Sequence, residues 1–243
     1  MGTEQIKKES FTPKGYRELL AKIEQEDVSK GELLTFNLGE DTTTRTVYNP
    51  TPVVIDGQTY IWARVESKAS ERDSVTMLFK EDKNGKWNIV QEAPVFKDLQ
   101  DPFYCGVIDN YHIFGGVQVY DVVGSPDLGY RTVLYRYKES FTELVTSNGE
   151  TCSPFVIGPE KMKGVRLIQI KKGHIKVYVR PQSPSGQFGG RGRIGCFEIE
   201  SLDQLEKALA DYDRVKNPQT LIKGLFVNQE QGDEEWGGPN ALY

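Results

Sequence analysis

The chain has only two histidines and three cysteines in 243 residues, too few for the sites that those residues usually build. Cys105, Cys152 and Cys196 are odd in number, widely spaced and free of any CxxC pattern. This excludes a disulfide framework and a zinc ribbon and predicts three buried, reduced thiols. His112 and His174 each fall inside an apolar, strand-like run, so neither a histidine metal centre nor a Ser/His/Asp triad has its raw material. No metal or cofactor is expected. No stretch approaches the ~18 apolar residues of a membrane-spanning helix, and polar residues 1–10 lack the apolar core of a signal peptide. The formal net charge of -5 supplies no basic field for nucleic acid or anionic lipid. The expectation is a cytoplasmic protein that engages neither.

What is present is a chain with 37% hydrophobic residues, long enough for one substantial core. Thr12 as N-cap, Pro13 behind it and Leu19, Leu20 and Ile23 on one stripe predict a short helix ended by Gly31, a helical appendage spanning 1–32. Ser201 and Gln204 predict a capping box for a second helix, with Leu202, Leu205, Ala208 and Leu209 at helical spacing up to about Val215.

Residues between the two helices read as strand. Asp56-Gly57, Asp109-Asn110 and Lys172-Gly173 are turn dipeptides. They separate predicted strand pairs at 53–55 and 59–65, 103–108 and 112–119, and 165–170 and 174–179. Third strands are predicted at 74–79, 132–137 and 194–199, and a fourth at 87–90 in the first unit. A polar motif precedes each unit: Tyr48-Asn49-Pro50, Gln100-Asp101-Pro102-Phe103 and Met162-Lys163-Gly164-Val165-Arg166, with a further copy at Trp236-Gly237-Gly238-Pro239-Asn240. Repeats of three or four antiparallel strands every 50 to 80 residues or so indicate β-propeller blades rather than a sandwich. The domain is therefore expected to be all-β over 33–243, with the last blade cut short.

In a propeller the first strand of each blade lines the central channel. Asn49, Asp101, Lys163 or Arg166, and Asn240 should then converge on one mouth, with Arg64-Val65-Glu66, Gly115-Gly116 and Arg180-Pro181-Gln182 as its wall. Asp101 reads as a general acid or as a turn cap. Arg64 and Glu66, two apart on a strand, share a face and form either a structural ion pair or a donor and acceptor for sugar hydroxyls. Glu66 is alternatively the base of a hydrolytic carboxylate pair with Asp101. Lys163, Arg166 and Arg180 form a cationic cluster suited to phosphate oxygens. Arg191, in the Phe188-Gly189-Gly190-Arg191-Gly192-Arg193 segment, is a further phosphate ligand, and Trp236 is a sugar platform or a core residue.

The ordered set Tyr48-Asn49-Pro50-Thr51, Ala63-Arg64-Val65-Glu66, Leu99-Gln100-Asp101-Pro102-Phe103, Gly115-Gly116-Val117, Lys163-Gly164-Val165-Arg166, Arg180-Pro181-Gln182, Gly189-Gly190-Arg191 and Trp236-Gly237-Gly238-Pro239-Asn240 resembles the family labelled domain of unknown function 1861. That family is similar to the glycoside hydrolase family 130 β-mannoside phosphorylases and includes the glycosyltransferase family 108 enzymes. The resemblance implies a five-bladed propeller and inverting, phosphate-dependent cleavage or synthesis of a β-1,2-linked mannoside through mannose 1-phosphate, with inorganic phosphate as co-substrate. It places the proton donor at Asp101, sugar contacts at Asn49, Arg64, Glu66, Gln182, Trp236 and Asn240, and phosphate contacts at Lys163, Arg166, Arg180 and Arg191. It also implies an acidic residue where Gly164 stands and a further blade beyond Tyr243. An incomplete propeller exposes edge strands, which favours a homo-oligomer. The other readings are an inverting glycoside hydrolase and a non-catalytic carbohydrate-binding propeller.

Overall fold

A computed structural model describes residues 33–181 and 195–211. The predicted N-terminal helix and the candidate residues Gln182, Arg191, Trp236 and Asn240 lie outside the described residues. The chain divides into two compact units, Met1–Thr35 and Phe36–Tyr243. The second carries every site residue considered below.

Its regular secondary structure is nearly all strand, in three antiparallel sheets. The first sheet runs β2 (Arg45–Ile55), β3 (Gln58–Ser67), β4 (Ser70–Glu81), β5 (Lys86–Ile89) and β1 (Thr35–Asn37), with β6 (Phe96–Lys97) added beside β4. The second is β7 (Leu99–Ile108), β8 (Tyr111–Asp121), β9 (Leu128–Tyr137) and β10 (Val156–Ile157). The third is β11 (Met162–Lys171), β12 (His174–Pro181) and β13 (Gly195–Ile199). Asp56, Gly57, Asp109, Asn110 and Gly173 take positive φ at the predicted hairpins, the geometry that matches strand twist.

The sheets pack on one another through alternate residues of each strand. In β3, Ile61, Ala63 and Val65 face a cluster with Phe79 and Trp87. Trp62, on the other face, packs with Phe96 of β6 and Phe114 and Tyr135 of the second sheet. Trp62 and Phe114 ring centroids are 4.6 Å apart, as are those of Phe96 and Tyr135. Between the second and third sheets the core comprises Phe103, Ile113, Leu134, Val165, Leu167 and Val177, sealed by Leu205 and Leu209 of helix α1 (Leu205–Asp211).

Three sequence expectations are corrected. The predicted capping box does not form: Ser201 makes no side-chain cap bond, Gln204 Oε1 accepts at 2.9 Å from the N–H of Glu200, the residue before the cap, and a 3-10 turn, Leu202–Gln204, precedes the helix. Cys105 is buried, whereas Cys152 and Cys196 are half-buried, and none of the three forms a disulfide. Burial pushes the Cys105 thiol up to about 11, which leaves it unreactive. Gly115-Gly116 is packing rather than pocket wall. A Cβ on Gly115 would lie 2.6 Å from Leu134 Cδ2 and Phe103 Cζ, and one on Gly116 would lie 2.7 Å from Leu99 Cγ.

Gly115→Ala is expected to cost about 1–3 kcal/mol through overpacking, read as a lower urea midpoint with an unchanged slope. His112 provides a pH test. Its Nδ1 lies 2.7 Å from Tyr104 Oη and its ring stacks on Tyr137. Burial holds its pKa below the ordinary 6.5, against the pull of Asp56 and Glu143. The unfolded chain therefore takes up this proton first on acidification, and stability falls from the ordinary histidine value down through the depressed one. His112→Phe should flatten that part of the thermal-stability profile; an unchanged slope would assign it to other groups.

Candidate functional site

The three first strands share one irregularity. Register slips between Tyr48 and Thr51 in β2, Gln100 and Phe103 in β7, and Lys163 and Arg166 in β11. In each case two residues oppose one on the partner strand, a β-bulge. The first bulged residue is Asn49 (φ 46°), Asp101 (φ 47°) or Gly164 (φ 70°). The left-handed region suits Gly, Asn and Asp best. In the first two sheets a proline follows, at a position where the missing N–H costs no ladder bond.

This changes the expected equivalences. The polar motif lies inside the first strand rather than before it, and Gly164, not Lys163 or Arg166, corresponds to Asn49 and Asp101. Lys163 corresponds to Tyr48 and Gln100, and Arg166 to Thr51 and Phe103. On the second strands, Arg64 pairs with Tyr48, Val117 with Gln100, and Arg180 with Lys163. Arg64 and Arg180 are thus the same position in two sheets.

Asn49 and Asp101 meet directly, with Asn49 Nδ2 donating to Asp101 Oδ1 at 2.5 Å. Arg64 Nη1 reaches the same oxygen at 3.4 Å. Arg64 Nε donates to Glu66 Oε2 at 2.7 Å, its Nη2 also pairs with that oxygen, and Nη2 lies 3.5 Å from Glu71 Oε2. Ser74 Oγ donates to Glu66 Oε2 at 2.9 Å. Asn49, Arg64, Glu66 and Asp101, four of the predicted sugar and acid residues, therefore form one hydrogen-bonded cluster. The Arg64 and Glu66 side chains are each 12% exposed, against 43% for Asp101, so the pair is a nearly buried support for a reachable carboxylate.

A cleft of about 530 Å³ opens at this cluster, lined by Glu71, Gln100, Asp101, Val117, Tyr130 and Lys163, with Ser70, Arg72 and the Pro126-Asp127-Leu128 segment at its rim. That volume suits a small ligand. Of the predicted phosphate residues, Lys163 lines the cleft, its Nζ 5.3 Å from the Tyr130 ring centroid. Arg180 is buried across the strand pair from it. Arg166 lies flat on Phe103, 3.8 Å from the ring centroid, and donates to the Val165 carbonyl. Burial lowers its pKa, and Cys105 and Asp101 oppose the shift. It serves as an inter-sheet stacking residue and does not line the cleft.

Glu71, Ser74 and Gln100 were not singled out from sequence. Gln100 Nε2 donates to Ser74 Oγ at 3.1 Å and to the Glu71 carbonyl at 3.3 Å, fixing the β4 arm against β7. Glu71 sits in a charged hairpin that looks like a solvated turn, whereas Gln100 adjoins Asp101 and could have been found. Among the described residues, no group of three or more His, Cys, Asp or Glu side chains is arranged to hold a metal ion, and no helix is long and apolar enough to cross a membrane.

Residues 21–243 match the family described as "Protein of unknown function (DUF1861)", and the chain belongs to it. No curated protein matches by sequence. Solved structures similar to the chain include three from Leishmania. A mannose phosphorylase from Leishmania mexicana, MPT-4, solved with a phosphate ion, is 28% identical with a TM-score of 0.62 over 80% of this chain and 55% of its own. A GDP-Man-dependent mannosyltransferase from the same organism, MPT-1, is 28% identical with a TM-score of 0.56 over 78% and 55%. A hypothetical protein from Leishmania major is 26% identical with a TM-score of 0.58 over 79% and 56%. The chain spans little more than half the length of each.

Removing Arg64 leaves two carboxylates of the cluster without their cation. Arg64→Met should cost about 3 kcal/mol, the scale for breaking a buried pair, whereas Glu71→Gln at an exposed carboxylate should cost under about 1 kcal/mol. Equal losses in chemical denaturation would contradict the buried-support role.

Proposed function

We propose that the chain is a carbohydrate-active enzyme, a phosphate-dependent β-mannoside phosphorylase or mannosyltransferase on a five-bladed β-propeller scaffold. The observation that carries this reading is the placement of Asp101, held through Oδ1 by Asn49 and Arg64, in one cleft with Lys163. No hydrogen bond engages Asp101 Oδ2 among the described residues, so that oxygen is available for the proton-donor role. Phosphate, attracted by Lys163 with Arg180 behind it, attacks the anomeric carbon. The glycosidic bond breaks, and the leaving oxygen takes the proton that originates at Asp101. Mannose 1-phosphate and a shortened sugar result, with inversion. Similarity to MPT-4 supports sugar and phosphate as substrates, and similarity to MPT-1 supports transfer in the synthetic direction. The β-1,2 linkage rests on the family resemblance.

Glu66 fits poorly as a hydrolytic base, since its Oε2 already holds Arg64 and Ser74. Glu71 keeps the hydrolase reading alive as a second, exposed carboxylate in the cleft. The two readings differ in whether phosphate is consumed. Incubation with β-1,2-mannobiose and phosphate is expected to yield mannose 1-phosphate. Asp101→Asn should lower turnover by about 10²–10⁴, the usual worth of a general acid. Phosphate-independent release of mannose, abolished by Glu71→Gln, would establish the hydrolase instead, and mannoside binding with no turnover would indicate a binding propeller.

A further inference from the structure

The cleft's outer wall is made by two hairpins that belong to different sheets. Ser70, Glu71 and Arg72 come from the start of β4, and Pro126, Asp127 and Leu128 from the β8–β9 connection. One side chain spans them. Arg72 Nη1 donates to Asp121 Oδ1 at 2.5 Å, at the end of β8, and Nη2 donates to the Pro126 carbonyl at 2.7 Å. The connection has little else to hold its tip: Val122 is 40% exposed and Val123 fully so. Among the described residues its remaining hydrogen bonds are internal, from Ser125 N–H to the Val122 carbonyl and from Asp127 N–H to Ser125 Oγ.

The arm carrying Arg72 is itself fixed. Ser67 N–H donates to Asp73 Oδ1, Arg45 to the Asp73 carbonyl, and Gln100 Nε2 to the Glu71 carbonyl. A braced arm thus grips a lightly held loop through a two-pronged cation. Arg72 is half exposed and Asp121 more so, and such a pair adds little to global stability. Its consequence is geometric: it sets where Pro126-Asp127-Leu128 stand relative to Glu71.

We propose that Arg72 is a positioning residue that shapes the cleft wall for a neutral, hydroxyl-rich sugar, the leaving or acceptor unit of the reaction. The chemistry of that wall favours such a ligand. Arg72 is committed to Asp121 and Pro126, so the wall offers the Ser70 hydroxyl and the carboxylates of Glu71 and Asp127, which accept from hydroxyls and repel anions. Lys163, the cation lining the cleft from the third sheet, attracts the phosphate. The inference rests on the phosphorylase reading for the identity of the sugar.

Calorimetry of wild-type protein, Arg72→Met and Arg72→Lys with β-1,2-mannobiose and, separately, with inorganic phosphate tests it. Arg72→Met should weaken mannobiose about tenfold, the scale of a lost charge-assisted hydrogen bond, and leave phosphate affinity unchanged. Arg72→Lys should recover only part, because an ammonium lacks the guanidinium's rigid fork. Equal mannobiose affinity in all three proteins overturns the proposal, as does equal weakening of both ligands. A wild-type protein that binds neither ligand overturns the phosphorylase reading. The tether is then judged by limited proteolysis at residues 122–127, where faster cutting in Arg72→Met supports it and an equal rate overturns it.

Discussion

A left-handed residue in the first strand of each sheet is the constraint on which the site depends. In regular β conformation the side chains at positions 49 and 101 would alternate up and down with their neighbours. The bulge inserts an extra residue and redirects the chain, and the left-handed φ at Asn49 and Asp101 brings Nδ2 of one to Oδ1 of the other. A residue before proline is ordinarily driven to extended conformations, so both positions store strain. That strain persists because the surrounding ladders fix the strand on either side.

The bulges meet because the sheets are joined by a repeated set of bonds. Thr76 Oγ1 donates to the Leu99 carbonyl and Thr132 Oγ1 to the Met162 carbonyl. In each case a buried threonine on a third strand holds the next sheet's first strand two residues before its bulge. Asp98 N–H to the Ser74 carbonyl and Lys161 N–H to the Tyr130 carbonyl repeat the pattern one residue earlier, with Asp98 and Lys161 both at positive φ. Thr51 Oγ1 adds a bond to the Pro102 carbonyl at the bulge itself. The angular step between sheets is thus set by backbone carbonyls, and the apolar cores fill the wedge between them.

The long strands, the hairpin turns and the clustering of Asn49, Arg64, Glu66 and Asp101 were legible in sequence because each has a local signature: a turn dipeptide, an apolar run, or two charges at period two; the short strands β1, β6 and β10, which have none, were missed. The register was not. A bulge changes which residues are equivalent by one position, and only pairing across the ladder reveals it, so Lys163 was aligned with Asp101 where Gly164 belongs. The place of Arg166 was hidden for a related reason: a basic residue in an apolar strand suggests a ligand, but an aromatic partner on the neighbouring sheet, here Phe103, can bury it just as well. Glu71 was invisible because its role is created by Arg64, across the β3–β4 hairpin, and by Gln100, 29 residues on and brought to it by the fold.

Arg64 explains why one of three nearby carboxylates suits the proposed proton-donor role better than the others. A guanidinium has donors enough for several oxygens but a single charge. Glu66 takes the closest contacts and a hydroxyl from Ser74, and it is nearly buried, so it holds the arginine in place. Glu71 and Asp101 share the remainder at longer range. Asp101 differs from Glu71 in being gripped from β2 as well, by Asn49, with its backbone fixed by the bulge. Catalysis needs a donor whose position varies by less than the length of the bond it serves. Within this cluster Asp101 meets that requirement, whereas Glu71, exposed on an arm, is suited to contacts that tolerate movement.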